Sequence, residues 1–165
     1  MRIDPSALPY RPCVGIMLIN STGLVWIGRR RELVAEAGES WQMPQGGIDP
    51  AEAPALAAIR ELAEETGTNK AEIIGESREW RHYDLPPKLL GIGLQGKYRG
   101  QRQKWFALRF TGADADFNIH HPPGGHEPEF DAWRWVSAID LPRLIVPFKR
   151  KIYEAVIEEF RPLLG

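Results

Sequence analysis

Apolar residues follow two rhythms along this chain. Val14 to Ile19 is an almost unbroken apolar run and reads as a strand. Ser21-Thr22-Gly23 marks a turn, and Leu24 to Gly28 reads as a second strand paired with the first. Gln103 to Phe110 alternates, with Trp105, Ala107 and Arg109 on one face and Phe106, Leu108 and Phe110 on the other. Glu72 to Trp80 and Trp133 to Val136 are further strands. The helical rhythm begins at Pro54, a residue suited to a first turn because its missing N–H has no partner there. Ala55 to Glu65 are good helix formers, and Gly67 is a left-handed stop. Leu56, Ile59 and Ala63, with Leu62 beside them, form a stripe expected to face the core, leaving the glutamates off it. A last helix is predicted from Pro147 to Phe160, with Phe148, Ile152, Val156 and Phe160 spaced at i+4. Loops are predicted from Arg31 to Ser40 and from Gly112 to Gly125. This order predicts an α/β or α+β sandwich, a mixed sheet between helices.

Composition narrows the class. A chain of 165 residues with 43% apolar and 26% charged side chains is of one-domain length and buries a real core. The formal net charge of -1 argues against a protein that coats nucleic acid, so any nucleic acid must be gripped locally, at an end or a phosphate. The single cysteine, Cys13, lies inside the first apolar run and reads as a buried structural thiol. MRIDPSALPYRP has no apolar signal core, and no run approaches a membrane span of roughly 18–20 residues, so a cytoplasmic protein without a membrane partner is expected.

The candidate chemistry lies on the first helix. Glu61, Glu64 and Glu65 stand at i, i+3 and i+4 and share one face. Like charges so placed cost roughly 0.2–0.5 kcal/mol per pair on an exposed helix. A hard divalent cation turns that cost into a site, because Mg²⁺ takes oxygen ligands beside substrate phosphates. Gly46-Gly47 lets backbone approach phosphate or metal closely. Glu52, ahead of the helix, is given a structural role, favouring the positive helix end or pairing with Arg60.

Gly46, Glu52, Arg60-Glu61-Leu62, Glu64-Glu65 and Gly67 together resemble the box motif of the Nudix hydrolases at every fixed polar and glycine position. Thr68 departs, standing where an aliphatic residue is usual, which touches packing and not metal chemistry. Tyr10-Arg11-Pro12, Trp41-Gln42-Met43-Pro44-Gln45-Gly46-Gly47-Ile48, Gln103-Lys104-Trp105-Phe106, Pro128-Glu129-Phe130-Asp131 and Phe148-Lys149-Arg150 are similar to the branch of that family that hydrolyses dinucleoside polyphosphates and RNA 5′ ends. The likeness runs from about Tyr10 to Phe160, with a longer loop between Arg31 and Ser40.

The resemblance implies the Nudix α/β/α fold over residues 1–165 and a pyrophosphohydrolase using Mg²⁺, for which Mn²⁺ substitutes. It assigns Glu61, Glu64 and Glu65 to metal and catalysis and Gly46 to the metal site. Arg60 is a box residue that orients a glutamate, and Glu129 is a fourth metal ligand, with Glu127 a nearby decoy. Arg11, Arg30 and Lys149 are implied around the polyphosphate, with Lys88 and Lys104 weaker candidates. Tyr83 and Phe148 are read as rings that clamp a nucleobase, worth ~1–3 kcal/mol per stacked base. Trp26, Trp105, Trp133 and Trp135 are assigned to the core. His120, His121 and His126 lack the partners of a zinc site.

The expected substrates are RNA 5′-triphosphate or diphosphate ends and diadenosine polyphosphates split asymmetrically. The alternatives are another Nudix specificity, such as nucleotide sugars, and a non-catalytic nucleotide- or RNA-end-binding module.

Overall fold

The computed structural model describes residues 4–31 and 40–164, so most of the predicted loop from Arg31 to Ser40 lies outside the described residues. Eleven strands and α-helices follow one another there. The strands are β1 Tyr10–Ile19, β2 Val25–Arg30, β3 Trp41–Gln42, β4 Gln45–Gly47, β5 Ala71–Glu76, β6 Arg81–Asp84, β7 Gly100–Phe110 and β8 Phe130–Val136. The helices are α1 Pro54–Thr66 after β4, then α2 Leu141–Leu144 and α3 Arg150–Phe160 at the end.

One mixed sheet joins all the strands, in the order β3-β2-β1-β7-β5, with β4 on β1, β6 on β7 and β8 on β2. Alternation along β1 and β7 sends side chains to two separate cores. Met17, Ile19, Trp105 and Ala107 meet Ile152, Tyr153, Val156 and Phe160 of α3 on one face. Val14, Ile16, Leu18, Phe106 and Leu108 meet Ala57, Ala58 and Leu62 of α1 on the other. The sheet is therefore the middle layer of an α/β/α sandwich. No helix among the described residues is long and apolar enough to cross a membrane.

The predicted pairing of the first two strands holds only at Ile19 opposite Val25. β1 instead runs parallel to β7 from Tyr10↔Gly100 to Ile19↔Arg109, and β2 runs antiparallel to β8. The predicted strand from Glu72 to Trp80 is interrupted at Ser77. Its Oγ accepts the Trp105 N–H at 3.0 Å and donates to Glu79 O at 3.0 Å, so a hydroxyl replaces a ladder carbonyl and the chain turns. The short strands β4 and β6 go beyond the sequence reading. The last helix is one 3-10 turn, Pro147–Lys149, before α3 proper.

The predicted stripe of α1 is corrected. Leu56 is 66% exposed, and the core face is Ala57, Ala58 and Leu62, flanked by Glu61 and Glu65 at 9% each. Two alanines side by side bring the helix axis close to β1, and that closeness draws the adjoining glutamates under cover. Gly67 stops the helix as expected, at φ 86 with its N–H donating to Ala63 O. Cys13, Trp26 and Trp105 are fully buried, while Trp133 and Trp135 pack half-buried against the α1 core.

Candidate active site

α1 lies beside β4, so its buried glutamates face the Gly-Gly strand. A Cβ built on Gly46 would fall on the Glu61 carboxylate, and one on Gly47 would meet the Arg11 guanidinium. Glycine at Gly46 thus lets the Glu61 carboxylate lie directly against the strand backbone, and at Gly47 it leaves room for the Arg11 guanidinium.

Arg60 sits at the centre of the acidic cluster. Its Nε and Nη2 donate to the two oxygens of Glu52, each at 2.9 Å. Nη2 also donates to Gly47 O at 2.8 Å, which ties α1 to β4. Nη1 donates to Glu61 at 3.0 Å and to both Glu64 oxygens at 3.1 and 3.2 Å. Glu52 further accepts the Asp49 N–H at 3.0 Å. The hydrogen bonds from Arg60 hold the Glu52 carboxyl down at about 2, and those from Glu52 hold the guanidinium firmly charged. Glu52 therefore belongs to the scaffold of the site, as its sequence position suggested.

Glu61 and Glu65 are in the opposite situation. Burial, reinforced by the Glu64 carboxylate and opposed by Arg60, pushes Glu61 up to about 7. Burial, with the charges of Glu129 and Glu61 adding to it, raises Glu65 well above the usual carboxylate range. The Gln45 N–H at 3.3 Å is a thin compensation for a buried carboxylate. Such a set of hard oxygen donors, held together at a cost and short of positive charge, fits a divalent cation. Among the described residues, no three acidic, histidine or cysteine side chains converge as they stand into an ion-binding group. Arg60 draws Glu61 and Glu64 to one side, and Glu65 leans toward Gln45. The three loop histidines do not gather either; His126 Nε2 approaches Glu64 at 3.4 Å.

A cleft of about 530 Å³ opens from this cluster. It brings together Gly46, Glu61, Glu65, Glu129, Arg11, Arg30, Tyr83, Phe148 and Lys149, nearly every candidate read from the sequence. Arg60 and Glu64 stand behind the wall. Glu129 sits on the far bank, its carboxylate 3.8 Å from Arg30 Nε, and the strand end is fixed by Arg31 N–H donating to Glu129 O at 3.1 Å. Lys149 is 5% exposed, with Nζ 5.3 Å from the Tyr83 ring centre. Its burial, with Arg30 nearby, lowers the ammonium to about 8. Lys88 and Lys104 do not line the cleft; Lys104 turns to Glu76 and Arg78 O.

The aromatic clamp is corrected. Tyr83 and Phe148 touch each other, with ring centres 5.5 Å apart and planes tilted by 46°. A base between two rings needs about 7 Å, twice the carbon contact distance of roughly 3.5 Å. Tyr83 is only 7% exposed and acts as backing for Phe148. Sequence reasoning did not reach the opposite wall. Leu89, Ile92 and Leu94, from the connection between β6 and β7, add an apolar lining to the cleft. Their neighbourhood is rich in glycine and proline and carries no helix or strand period. Gln45 and Gln101 also line the cleft; Gln45 stood in a motif read for likeness alone, and Gln101 lay outside every segment read.

Buried glutamates laid against a Gly-Gly strand, beside a cleft edged with guanidinium and ammonium groups, define a hydrolase built for a phosphate chain. The NUDIX domain family matches residues 9–156, and the chain belongs to that family, whose members generally use divalent metal ions. It is 56% identical over 165 residues to a protein of Brucella abortus (strain 2308) named RNA pyrophosphohydrolase, covering 98% of this chain and 93% of the relative. A protein of the same name from Brucella anthropi is 55% identical over 167 residues, covering 99% and 96%. Among solved structures, a C. elegans Ap4A hydrolase binary complex has the same fold, with a TM-score of 0.64 at 17% identity, covering 92% of this chain and 98% of that one. The E. coli dihydroneopterin triphosphate pyrophosphohydrolase matches at the same TM-score of 0.64 and 18% identity, covering 92% and 99%.

Proposed function

We propose that this protein is a Mg²⁺-dependent pyrophosphohydrolase that acts on the 5′-triphosphate or diphosphate end of RNA, releasing pyrophosphate or phosphate. The observation that carries the reading is the polarity of the cleft. The same cleft is lined by the carboxylates Glu61, Glu65 and Glu129, by the cations Arg11, Arg30 and Lys149, and by an apolar set of Phe148, Leu89, Ile92 and Leu94. A terminal nucleotide offers the complementary parts, a phosphate chain for metal and cations and a base for the apolar groups. The relatives named as RNA pyrophosphohydrolases, alike over almost their whole length, favour the RNA end.

Glu61, Glu64, Glu65 and Glu129, with Gly46, would hold the cation. When bound, Mg²⁺ neutralises phosphate charge and lowers the pKa of an attacking water, and Mn²⁺ substitutes. The protein's own groups do the rest. Arg11, Arg30 and Lys149 draw the polyphosphate into line and offset the negative charge that blocks nucleophilic attack. Arg60 fixes the directions of Glu61 and Glu64 from behind and does not touch substrate. Phe148, backed by Tyr83, offers one stacking face, opposite the Leu89, Ile92 and Leu94 wall. The whole chain serves as one domain, and the enzyme works in the cytoplasm.

A diadenosine polyphosphate presents the same base-and-phosphate order at either end, so asymmetric cleavage of such a molecule is the second activity of the site. Purified protein given triphosphorylated RNA and diadenosine tetraphosphate at equal concentrations, with Mg²⁺ and products resolved by size, tests both. Faster release of pyrophosphate or phosphate from RNA is expected. Faster turnover of a nucleotide sugar than of either substrate overturns the reading.

A further inference from the structure

Behind the cleft wall runs a row of buried amides. Trp105 Nε1 donates to Gln103 Oε1 at 2.9 Å. Gln103 Nε2 donates to Gln45 Oε1 at 2.9 Å and to Gln101 Oε1 at 2.8 Å. Trp105 is fully buried, and Gln101 and Gln103 are 3% and 1% exposed.

The direction of every bond in this row is forced. Which end of a glutamine amide is oxygen normally has to be inferred from its partners. Here the inference has a fixed origin, because an indole N–H only donates. Gln103 must therefore turn its oxygen to Trp105 and its nitrogen toward the cleft. Both N–H bonds of that nitrogen are then spent, one on Gln45 and one on Gln101. Each of those residues must answer with oxygen. Their own NH2 groups are left over, and neither nitrogen is hydrogen-bonded to another described residue. Both side chains line the cleft, whereas Gln103 and Trp105 do not.

We propose that Gln45 and Gln101 are substrate-binding residues whose NH2 groups donate to phosphate oxygens, and that Gln103 and Trp105 are positioning residues that hold them in that sense. The proposal rests on the polyphosphate reading of the cleft and adds to it the binding groups that carry no charge. Phosphate oxygens accept and do not donate once ionised, so a wall of donors alone is their complement. Gln101 stands in register between Arg11 on β1 and Tyr83 on β6, in the middle of the cleft floor. Gln45 adjoins Gly46, and its backbone N–H is the donor that reaches Glu65. The pair thus joins the side of Glu65, through Gln45, to that of Arg11 and Tyr83, through Gln101. It binds oxygen without adding a further positive charge beside Arg30 and Lys149.

Gln103→Glu reads the relay directly. A carboxylate still accepts from Trp105, but it presents an acceptor to both neighbours. Their amides must then turn to donate inward and offer carbonyl oxygens to substrate. KM for triphosphorylated RNA should rise roughly ten- to hundredfold, the worth of one or two hydrogen bonds to a charged group, while kcat falls far less. Gln101→Met removes one donor at similar volume and should raise KM about tenfold. Added to Gln103→Glu, it should cost little more, because the amide it removes is already reversed. A buried carboxylate can prevent folding, so Gln101→Met, checked by its melting temperature, carries the test alone if Gln103→Glu does not fold. An unchanged KM in a folded Gln101→Met protein overturns the proposal. Wild-type protein that fails to turn over triphosphorylated RNA with Mg²⁺ would sink the polyphosphate reading instead, so the two failures are distinct.

Discussion

Arg60 and Glu52 form a two-pronged ion pair, with Nε and Nη2 each 2.9 Å from a separate carboxylate oxygen. The pair anchors a guanidinium whose third nitrogen reaches Glu61 and Glu64, so a residue outside the proposed metal cluster sets the geometry of two inside it. Glu52→Gln should lower stability by on the order of 1–3 kcal/mol at neutral pH, since it removes a charge-assisted pair and leaves Arg60 undercompensated. Because the folded carboxyl titrates near 2 and the unfolded one near 4.5, its contribution is present above 4.5 and disappears as pH falls toward 2. Melting curves of the two proteins should therefore be well separated at pH 7 and close together near pH 2.5. A large loss of rate with an unchanged melting temperature would contradict this structural role.

Glu65→Gln and Glu64→Gln should each reduce kcat by at least about a hundredfold with Mg²⁺ present, while leaving the fold intact. Their effects on stability should differ. Glu65 is buried with little compensation, so its neutral isostere should melt no lower than the metal-free wild type. Glu64 loses its bonds to Arg60, and its variant should melt slightly lower. Normal turnover in both variants would remove these carboxylates from the site.

A proton should compete with the proposed cation for Glu61. A carboxyl that titrates near 7 is half protonated at neutral pH, and only its ionised form ligates. The apparent affinity for Mg²⁺, measured by calorimetry, should tighten between pH 6 and 8 and level off above. The metal-free protein should show the converse. Its folded carboxyl holds a proton that the unfolded one has released, so stability falls as pH rises from about 4.5 to 7. Magnesium should restore it most at the alkaline end. An affinity independent of pH over that range would count against Glu61 as a ligand.

Phe148→Ala should raise KM more than it lowers kcat, by roughly ten- to hundredfold if one stacked base is lost. Tyr83→Phe should have little effect on KM, because Tyr83 supports the other ring from behind and does not hold a base of its own. Equal effects of the two would restore the two-sided clamp that the ring contact argues against.

Much of the site was legible because its chemistry is local. Glu61, Glu64 and Glu65 repeat at a helical spacing that puts them on one side of α1, and Gly46-Gly47 stands a short way before them on the strand that α1 packs beside. The basic residues and Glu129 were reached through likeness of motifs, since nothing in spacing places Arg11 opposite Lys149. The layered fold followed from the alternating runs. The pairing of β1 did not, because a tight turn suggests a hairpin and parallel partners leave no local trace. The buried face of α1 was misread for a different reason. A large side chain, Leu56, was weighted over two small ones, Ala57 and Ala58, although close approach to a sheet selects the small. The amide row takes Gln101, Gln103 and Trp105 from alternate positions of β7, but its link to Gln45 on β4 is a long-range contact that no local spacing announces.

Tyr10 faces Gly100 in the central ladder, ninety positions along the chain, and Phe148 and Lys149 come later still. The middle of the sheet therefore cannot close while the second half is missing, and the loop that must first be closed makes folding slow. During synthesis, the carboxylates of α1 are out early, with Arg60 of the same helix as their near partner, before the strand that completes the sheet beside them. A chain cut short before Phe148 would keep the whole box motif and still have neither a finished wall nor a place for the base.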